Sequence, residues 1–371
     1  MVSLSPCDPV SSVFRDAVSG ALSAFLDAQD APLAAMHPAT APLLERARLF
    51  TAGGKRLRPA FCAWAYTAVT GDPAVPDAVI RAAASLDLLH VSALVHDDVM
   101  DASDHRRGVK AAHRQFEADH RGAGWRGDPE QFGRAGAILL GDLLLMWSVE
   151  MVRASGLDAA ALDRAHLYLE QVRAEVTAGQ YLDILAQAHD PYALTRTPAD
   201  REELAGLIAT VVTWKSASYT IRRPLHIGAA IAGASAAQFE ALSAFGQPLG
   251  RAFQYRDDVL GIYGDAALTG KDSGEDLRVG KLTRLAAEAF GRASEADARE
   301  LAALFGDPGL TEAQVERARA IIDSCGARQA VEDEIHREYD QALAALADAD
   351  LAPAGREGLA ALARLAVRRD F

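Results

Sequence analysis

The chain has 371 residues, 50% of them hydrophobic and 24% charged, a globular composition long enough to bury a sizeable core. Its formal net charge of −13 argues against nonspecific nucleic-acid binding, which needs a basic surface, so an anionic substrate requires a local basic site or bound cations. Cys7, Cys62 and Cys325 are far apart and form no CxxC pair, which speaks against a disulfide framework or a zinc site and fits a reducing, cytoplasmic setting.

In chain order, Met1–Pro9 reads as a loose tail without the basic and apolar segments of a signal peptide. Val13–Gln29 is amphipathic, with Val13, Ala17, Ala21, Ala24 and Phe25 at helical spacing. Gly53-Gly54-Lys55-Arg56-Leu57-Arg58-Pro59 is a basic, glycine-led turn before a helix, and Gly71-Asp72-Pro73 closes that helix. Helical patterns then cover Arg81–Met100, Gly133–Ser155, Ala159–Leu185, Arg201–Ala232, Ala236–Tyr263 and Thr311–Leu346. Between them, Gly122–Gly133 and Pro191–Pro198 read as surface loops, and Gly264–Gly280 as a mobile functional loop. No strand alternation persists and no interdomain linker is visible. The expectation is one all-α domain over residues 10–371, a bundle with a central apolar cavity. The apolar run Leu139–Trp147 is broken by Gly141 and Asp142 and is too short for a membrane span, so no span is expected.

Two acidic clusters end apolar helix patterns. In His96-Asp97-Asp98-Val99-Met100-Asp101, Asp97 and Asp101 are four apart and share a helix face. Their oxygens repel unless a divalent cation lies between them, and an all-oxygen ligand set selects magnesium, calcium or manganese over zinc. The second cluster holds Asp257 and Asp258. Either pair alone reads as a solvated helix end. Together, as facing ends, they suit a diphosphate clamped through magnesium. Lys55 and Arg58 suit a second diphosphate, one as a point charge and one as a fork. Arg106 and Arg107 follow the first cluster, and His90 lies on the same helical face as Asp97. Gln180 and Asp183 stand one turn apart, Lys215-Ser216 falls in an apolar stretch, and Lys271 and Lys281 occupy the glycine-rich loop.

GGKRLRP at 53–59, LLHVSALVHDDVMD at 88–101, RRG at 106–108, GQYLD at 179–183, KS at 215–216, FQYRDDVLG at 253–261 and GKDSGEDLRVGK at 270–281 occur in this order. With them the chain resembles the trans-type isoprenyl diphosphate synthases, or polyprenyl synthetases. The resemblance implies the all-α isoprenoid synthase fold, magnesium as cofactor and a homodimer. It implies that Lys55, Arg58, His90 and Arg107 hold isopentenyl diphosphate. Asp97, Asp101 and Asp257 would ligate magnesium, supported by Asp98 and Asp258. Arg106, Lys215 and Lys271 would contact the allylic diphosphate, and Lys281 would close the loop over it. Ser216 and Gln254 would line the reacting centre, with Gln180 and Asp183 as partners. Two departures stand out: Gly261 replaces a frequent third Asp, and Ser216 replaces a usual Thr.

The reaction so implied is condensation of isopentenyl diphosphate with an allylic diphosphate. A terpene cyclase binds one diphosphate and has no need of Lys55, Arg58 and His90. A non-catalytic subunit would have lost the five aspartates kept here. Product length is expected to follow depth marks on the helix before Asp97. Ala93, Leu89 and Leu86 lie within about 80° of the Asp97 direction, at about 5.4 Å per turn. Ser92 sits off that face, and the resemblance marks it as pocket-lining. Farnesyl-forming relatives usually carry an aromatic at 92 or 93. The small residues here favour the twenty-carbon geranylgeranyl diphosphate.

Overall fold

A computed structural model describes residues 1–194, 197–264 and 274–368, with the side chains of 193 and 194 outside the description. The fold is all-α, as expected, and the described strands are two residues long. Helices α1 (Ser12–Ala28), α2 (Asp30–Met36), α3 (Ala41–Thr51) and α4 (Leu57–Thr70) precede α5 (Asp77–Met100). Then come α6 (Ala112–Ala123), α7 (Pro129–Arg153), α8 (Ala159–Gln187), α9 (Pro191–Leu194) and α10 (Pro198–Val211). A π-helix, Val212–Arg222, joins α10 to α11 (Arg223–Ala232), and α12 (Ala236–Tyr263) follows. The last six are α13 (Glu275–Val279), α14 (Arg284–Arg292), α15 (Glu295–Leu304), α16 (Glu312–Ser324), α17 (Ala327–Ala347) and α18 (Pro353–Arg368).

The chain divides into two compact units. Unit 1 comprises Met1–Tyr168, Pro224–Phe239 and Asp350–Leu362; unit 2 comprises Leu169–Arg223, Glu240–Ala349 and Ala363–Phe371. The chain passes between the units inside helices α8, α11, α12 and α18 and at Ala349-Asp350 between α17 and α18, with no linker composition to mark the crossings inside helices.

Unit 1 centres on α5, which packs against α1, α4 and α7. Leu86 and Leu88 are fully enclosed, alongside Phe14, Phe61 and Trp64. Gly141 interrupts the apolar run of α7 for a steric reason: a Cβ there would fall 2.2 Å from His96 Nε2 on α5. Helices α5 and α7 are each long and apolar enough to cross a bilayer by length and composition, a property the broken apolar runs conceal. The apolar window of α5 is 72% buried within the protein, as in a core helix, whereas that of α7 is 44% buried.

The loose tail expected over Met1–Pro9 is instead tied down. Val2–Ser3 (β1) pairs antiparallel with Ala74–Val75 (β2), and Val2 and Leu4 are buried. Trp64 Nε1 donates to the Pro9 carbonyl at 2.9 Å. A two-residue strand held by a distant Trp leaves no periodic signature in the sequence.

Unit 2 packs α10 against the π-helix and α14 against α17. Three arginines brace it: Arg251 to Glu338, Arg256 to Glu332 and Arg284 to Glu334 on α17. The continuous helix expected over Arg201–Ala232 changes register at the π-helix, and the one over Thr311–Leu346 stops at Cys325-Gly326, where Gly326 has a positive φ. The expected loop Gly122–Gly133 shrinks, because α7 already begins at Pro129 with Asp128 capping Glu130 N.

Candidate active site

In unit 1 the basic turn before α4 is built on strain and a buried ion pair. Gly53 and Gly54 have positive φ, and so does Arg56 at +54°. A non-glycine residue holds that conformation only when its surroundings over-determine it. Arg56 Nη1 donates to Asp87 Oδ2 of α5 at 2.8 Å, and its Nη2 to Thr51 O at 2.9 Å and Ser19 Oγ at 3.1 Å. Arg56 thus anchors the turn that carries exposed Lys55 and half-buried Arg58. Motif reading gave Arg56 no role; its signal is only visible as a partner for Asp87 in the apolar α5.

The Arg-Arg-Gly segment is the tip of a hairpin that the sequence reading missed. His105–Arg106 (β3) pairs antiparallel with Val109–Lys110 (β4). Arg107 and Gly108 between them have φ of +52° and +78°, the left-handed pair a tight two-residue turn requires. The hairpin sends its two arginines to different places. Arg106 Nε donates to Asp98 Oδ1 at 2.8 Å, and both side chains are buried. Arg107 Nη2 donates to His90 Nε2 at 3.2 Å. An arginine has only donors, so that nitrogen of His90 is unprotonated. Shielding from water, then the Arg58 and Arg107 charges, holds the imidazole well below its ordinary pKa. Arg58, His90 and Arg107 therefore gather beside one stretch of α5 as two cations around a neutral ring.

Seven residues on, Asp97 and Asp101 lie half-buried. Their spacing of four puts them on one face of the last turn of α5. Asp98 belongs elsewhere: it is 1% exposed and committed to Arg106. In the ligand-free protein Asp98 and Arg106 are thus partners of one another, which ties the hairpin to the end of α5. Ser92 is likewise committed, donating to the Gly141 carbonyl of α7 at 2.7 Å. Ala93 is half-buried, and Leu89 and Leu86 are buried deeper in the helix.

In unit 2, Asp258 is 2% exposed and accepts from Gln254 Nε2 at 2.8 Å and Arg284 N, at the start of α14, at 3.4 Å. Burial raises its pKa to about 7; Lys281 and Gln254 oppose the rise, while Asp276 and Asp257 add to it. Asp257 is half-buried beside it. Lys215 and Ser216 lie on the π-helix, and Lys215 Nζ donates to buried Asp183 of α8, which also accepts from Gln187 Nε2 at 3.2 Å. Gly179 permits this approach: a Cβ there would fall 2.3 Å from Lys215 N. Lys271 lies outside the described residues.

Among the described residues, no three acidic, His or Cys side chains close around a point as a ready-made cage. The donor set still fits magnesium, which keeps several waters and takes one or two carboxylates plus phosphate oxygens. Burial disfavours the charged form of Asp258 beside Asp257, and a bound cation would favour it.

Residues 43–322 match the family model described as polyprenyl synthetase. The chain is similar to a solved geranylgeranyl pyrophosphate synthase from Corynebacterium glutamicum complexed with isoprenyl diphosphate and magnesium. The two share 38% identity and a TM-score of 0.89, over 96% of this chain and 98% of that one. It is 33% identical to the geranylgeranyl diphosphate synthase of Mycobacterium tuberculosis over 88% of this chain and 83% of the relative. It is 30% identical to the nonaprenyl diphosphate synthase of the same organism, over 86% and 84%.

Proposed function

The chain belongs to the polyprenyl synthetase family, and from that premise we propose that it condenses isopentenyl diphosphate with an allylic diphosphate (dimethylallyl, geranyl or farnesyl) to give geranylgeranyl diphosphate. The observation that carries this reading is the cationic group at His90, two helical turns from the acidic end of α5. A one-substrate cyclase has no use for it; a condensing enzyme needs a second anion site. Lys55, Arg58, His90 and Arg107 form that site for isopentenyl diphosphate. The neutral ring of His90 adds a hydrogen-bonding group without further charge repulsion.

Asp97, Asp101, Asp257 and Asp258 would hold magnesium, which supplies Lewis-acid neutralisation of the allylic diphosphate as it leaves. Lys215, held by Asp183, and Lys281 and Lys271 add positive charge where the leaving group gains its negative charge. Ser216 and Gln254 flank the reacting carbons. The isopentenyl double bond attacks the allylic cation, and the departed diphosphate takes the proton whose loss leaves the new trans double bond.

Relatives of similar identity differ in product, so overall likeness does not decide chain length. We assign that choice to the residues of α5 before Asp97. Ala93 leaves the first level open, and Leu89 and Leu86 close it deeper. Ser92 is turned onto α7, where it donates to the Gly141 carbonyl. Incubation with labelled isopentenyl diphosphate, each allylic starter and magnesium should give a twenty-carbon product, and Ala93→Phe should shorten it to fifteen. A wild type making only farnesyl diphosphate, or an Ala93→Phe variant with unchanged product, would contradict the length assignment.

The exposed face of α7 carries Ile138, Leu139 and Met146, at 45, 61 and 59% exposure. Exposed Asp142 on the same helix makes it a poor bilayer face. We read it as the contact of a homodimer working in the cytoplasm.

A further inference from the structure

Gly261 lies four residues after Asp257 and three after Asp258, on the stretch of α12 that presents the second acidic pair. A Cβ built there would fall 2.0 Å from Asp276 Oδ2 and 2.5 Å from its Cγ. The carboxylate of Asp276 thus occupies the volume in which a side chain at 261 would begin. Asp276 comes from α13, a different element, and is 7% exposed. Its backbone is held: Gly274 and Gly280 flank α13 with positive φ, and the Asp276 carbonyl accepts from Lys281 N at 2.9 Å. Among the described residues no hydrogen-bond donor reaches its carboxylate. Here it stands within electrostatic reach of Asp258, beside Asp257, with Lys281 near them.

We propose that Asp276 supplies the third carboxylate of the second acidic cluster, reaching it through the gap left by Gly261, for a magnesium ion that carries a diphosphate. The missing side chain is then the condition for the cluster's completeness rather than a loss from it. The cation's own waters and the phosphate oxygens span the remaining distance, so the acids need not close on it directly. The inference rests on the prenyltransferase reading and assigns one more residue to its metal-binding end.

The test is calorimetric titration of the full chain with magnesium in the presence of inorganic pyrophosphate, with circular dichroism as a check on folding. Asp276→Asn keeps the shape and removes the charge; it should weaken magnesium–pyrophosphate binding at least tenfold. Gly261→Ala keeps every acid but drives a methyl into the Asp276 carboxylate, and should weaken binding as well. Asp276→Ala should lose the same affinity, and adding Gly261→Asp to it, which returns a carboxylate from α12 itself, should restore most of it. Wild-type affinity in Asp276→Asn overturns the inference. So does a loss that the double variant fails to recover, because Asp276 would then act only through the fold. A wild-type chain that binds no magnesium–pyrophosphate would overturn the prenyltransferase reading itself, a result separable from equal binding by wild type and variants.

Discussion

Neighbouring acids in the first cluster differ sharply in what holds them. Asp97 lies half-buried at the end of α5, while Asp98 is enclosed and paired to Arg106. Asp98→Ala strands a buried guanidinium and should cost about 3–5 kcal/mol of stability in urea denaturation. Asp97→Ala should abolish turnover with the urea midpoint unchanged or raised. Equal destabilisation by both would show that the burial contrast means nothing. His90 makes a separate claim on pH. Its folded pKa is depressed, so between that value and about 6.5 the unfolded chain binds a proton that the folded chain refuses. Its contribution is fully present above pH 6.5 and is lost as pH falls, at about 1.4 kcal/mol per pH unit. His90→Gln should flatten that acid limb in denaturation curves taken at pH 7 and 5.5; an unchanged slope would contradict the neutral-imidazole assignment.

Helices were the legible part of the sequence, because α1 is amphipathic and the long Ala- and Leu-rich runs of α5, α7, α8 and α12 favour helix over strand. The elements that shape the site were not. The Arg107-Gly108 hairpin has two residues per strand, too few for alternation, and its turn depends on a positive φ at an arginine. The π-helix looks like ordinary helix in sequence, since its residues are not of a kind that distinguishes i→i+5 from i→i+4 bonding. Gly179 and Gly250, which no periodic argument singles out, make room for its backbone at Lys215 and Ala217. Gly179→Ala places a methyl against the Lys215 backbone and should cost roughly 1–3 kcal/mol by overpacking. Because Lys215 moves with that backbone, turnover should fall along with the melting temperature. A variant that melts as wild type and turns over normally would remove the π-helix from the account.

At the scale of the whole chain, the order of motifs named the chemistry before any distance was known, while the partners within it stayed hidden. Asp98–Arg106, Arg56–Asp87 and Asp276 at Gly261 join residues 8, 31 and 15 positions apart, which no local spacing rule connects. The apolar face of α7 was also unread, because an exposed Leu and a buried one look alike in sequence. Light scattering should give twice the chain mass, and Leu139→Glu should halve it; a monomeric wild type would leave that face unexplained. The proposed condensation requires one protein to hold two diphosphates in two distinct sites, one cationic and one acidic. The most direct measurement is the pair of Michaelis constants of Arg58→Ala. Losing a charge-assisted hydrogen bond costs roughly 1.5–3 kcal/mol, about ten- to hundredfold. The constant for isopentenyl diphosphate should rise by that factor while that for the allylic diphosphate stays within about twofold; an equal rise in both would contradict the two-site account.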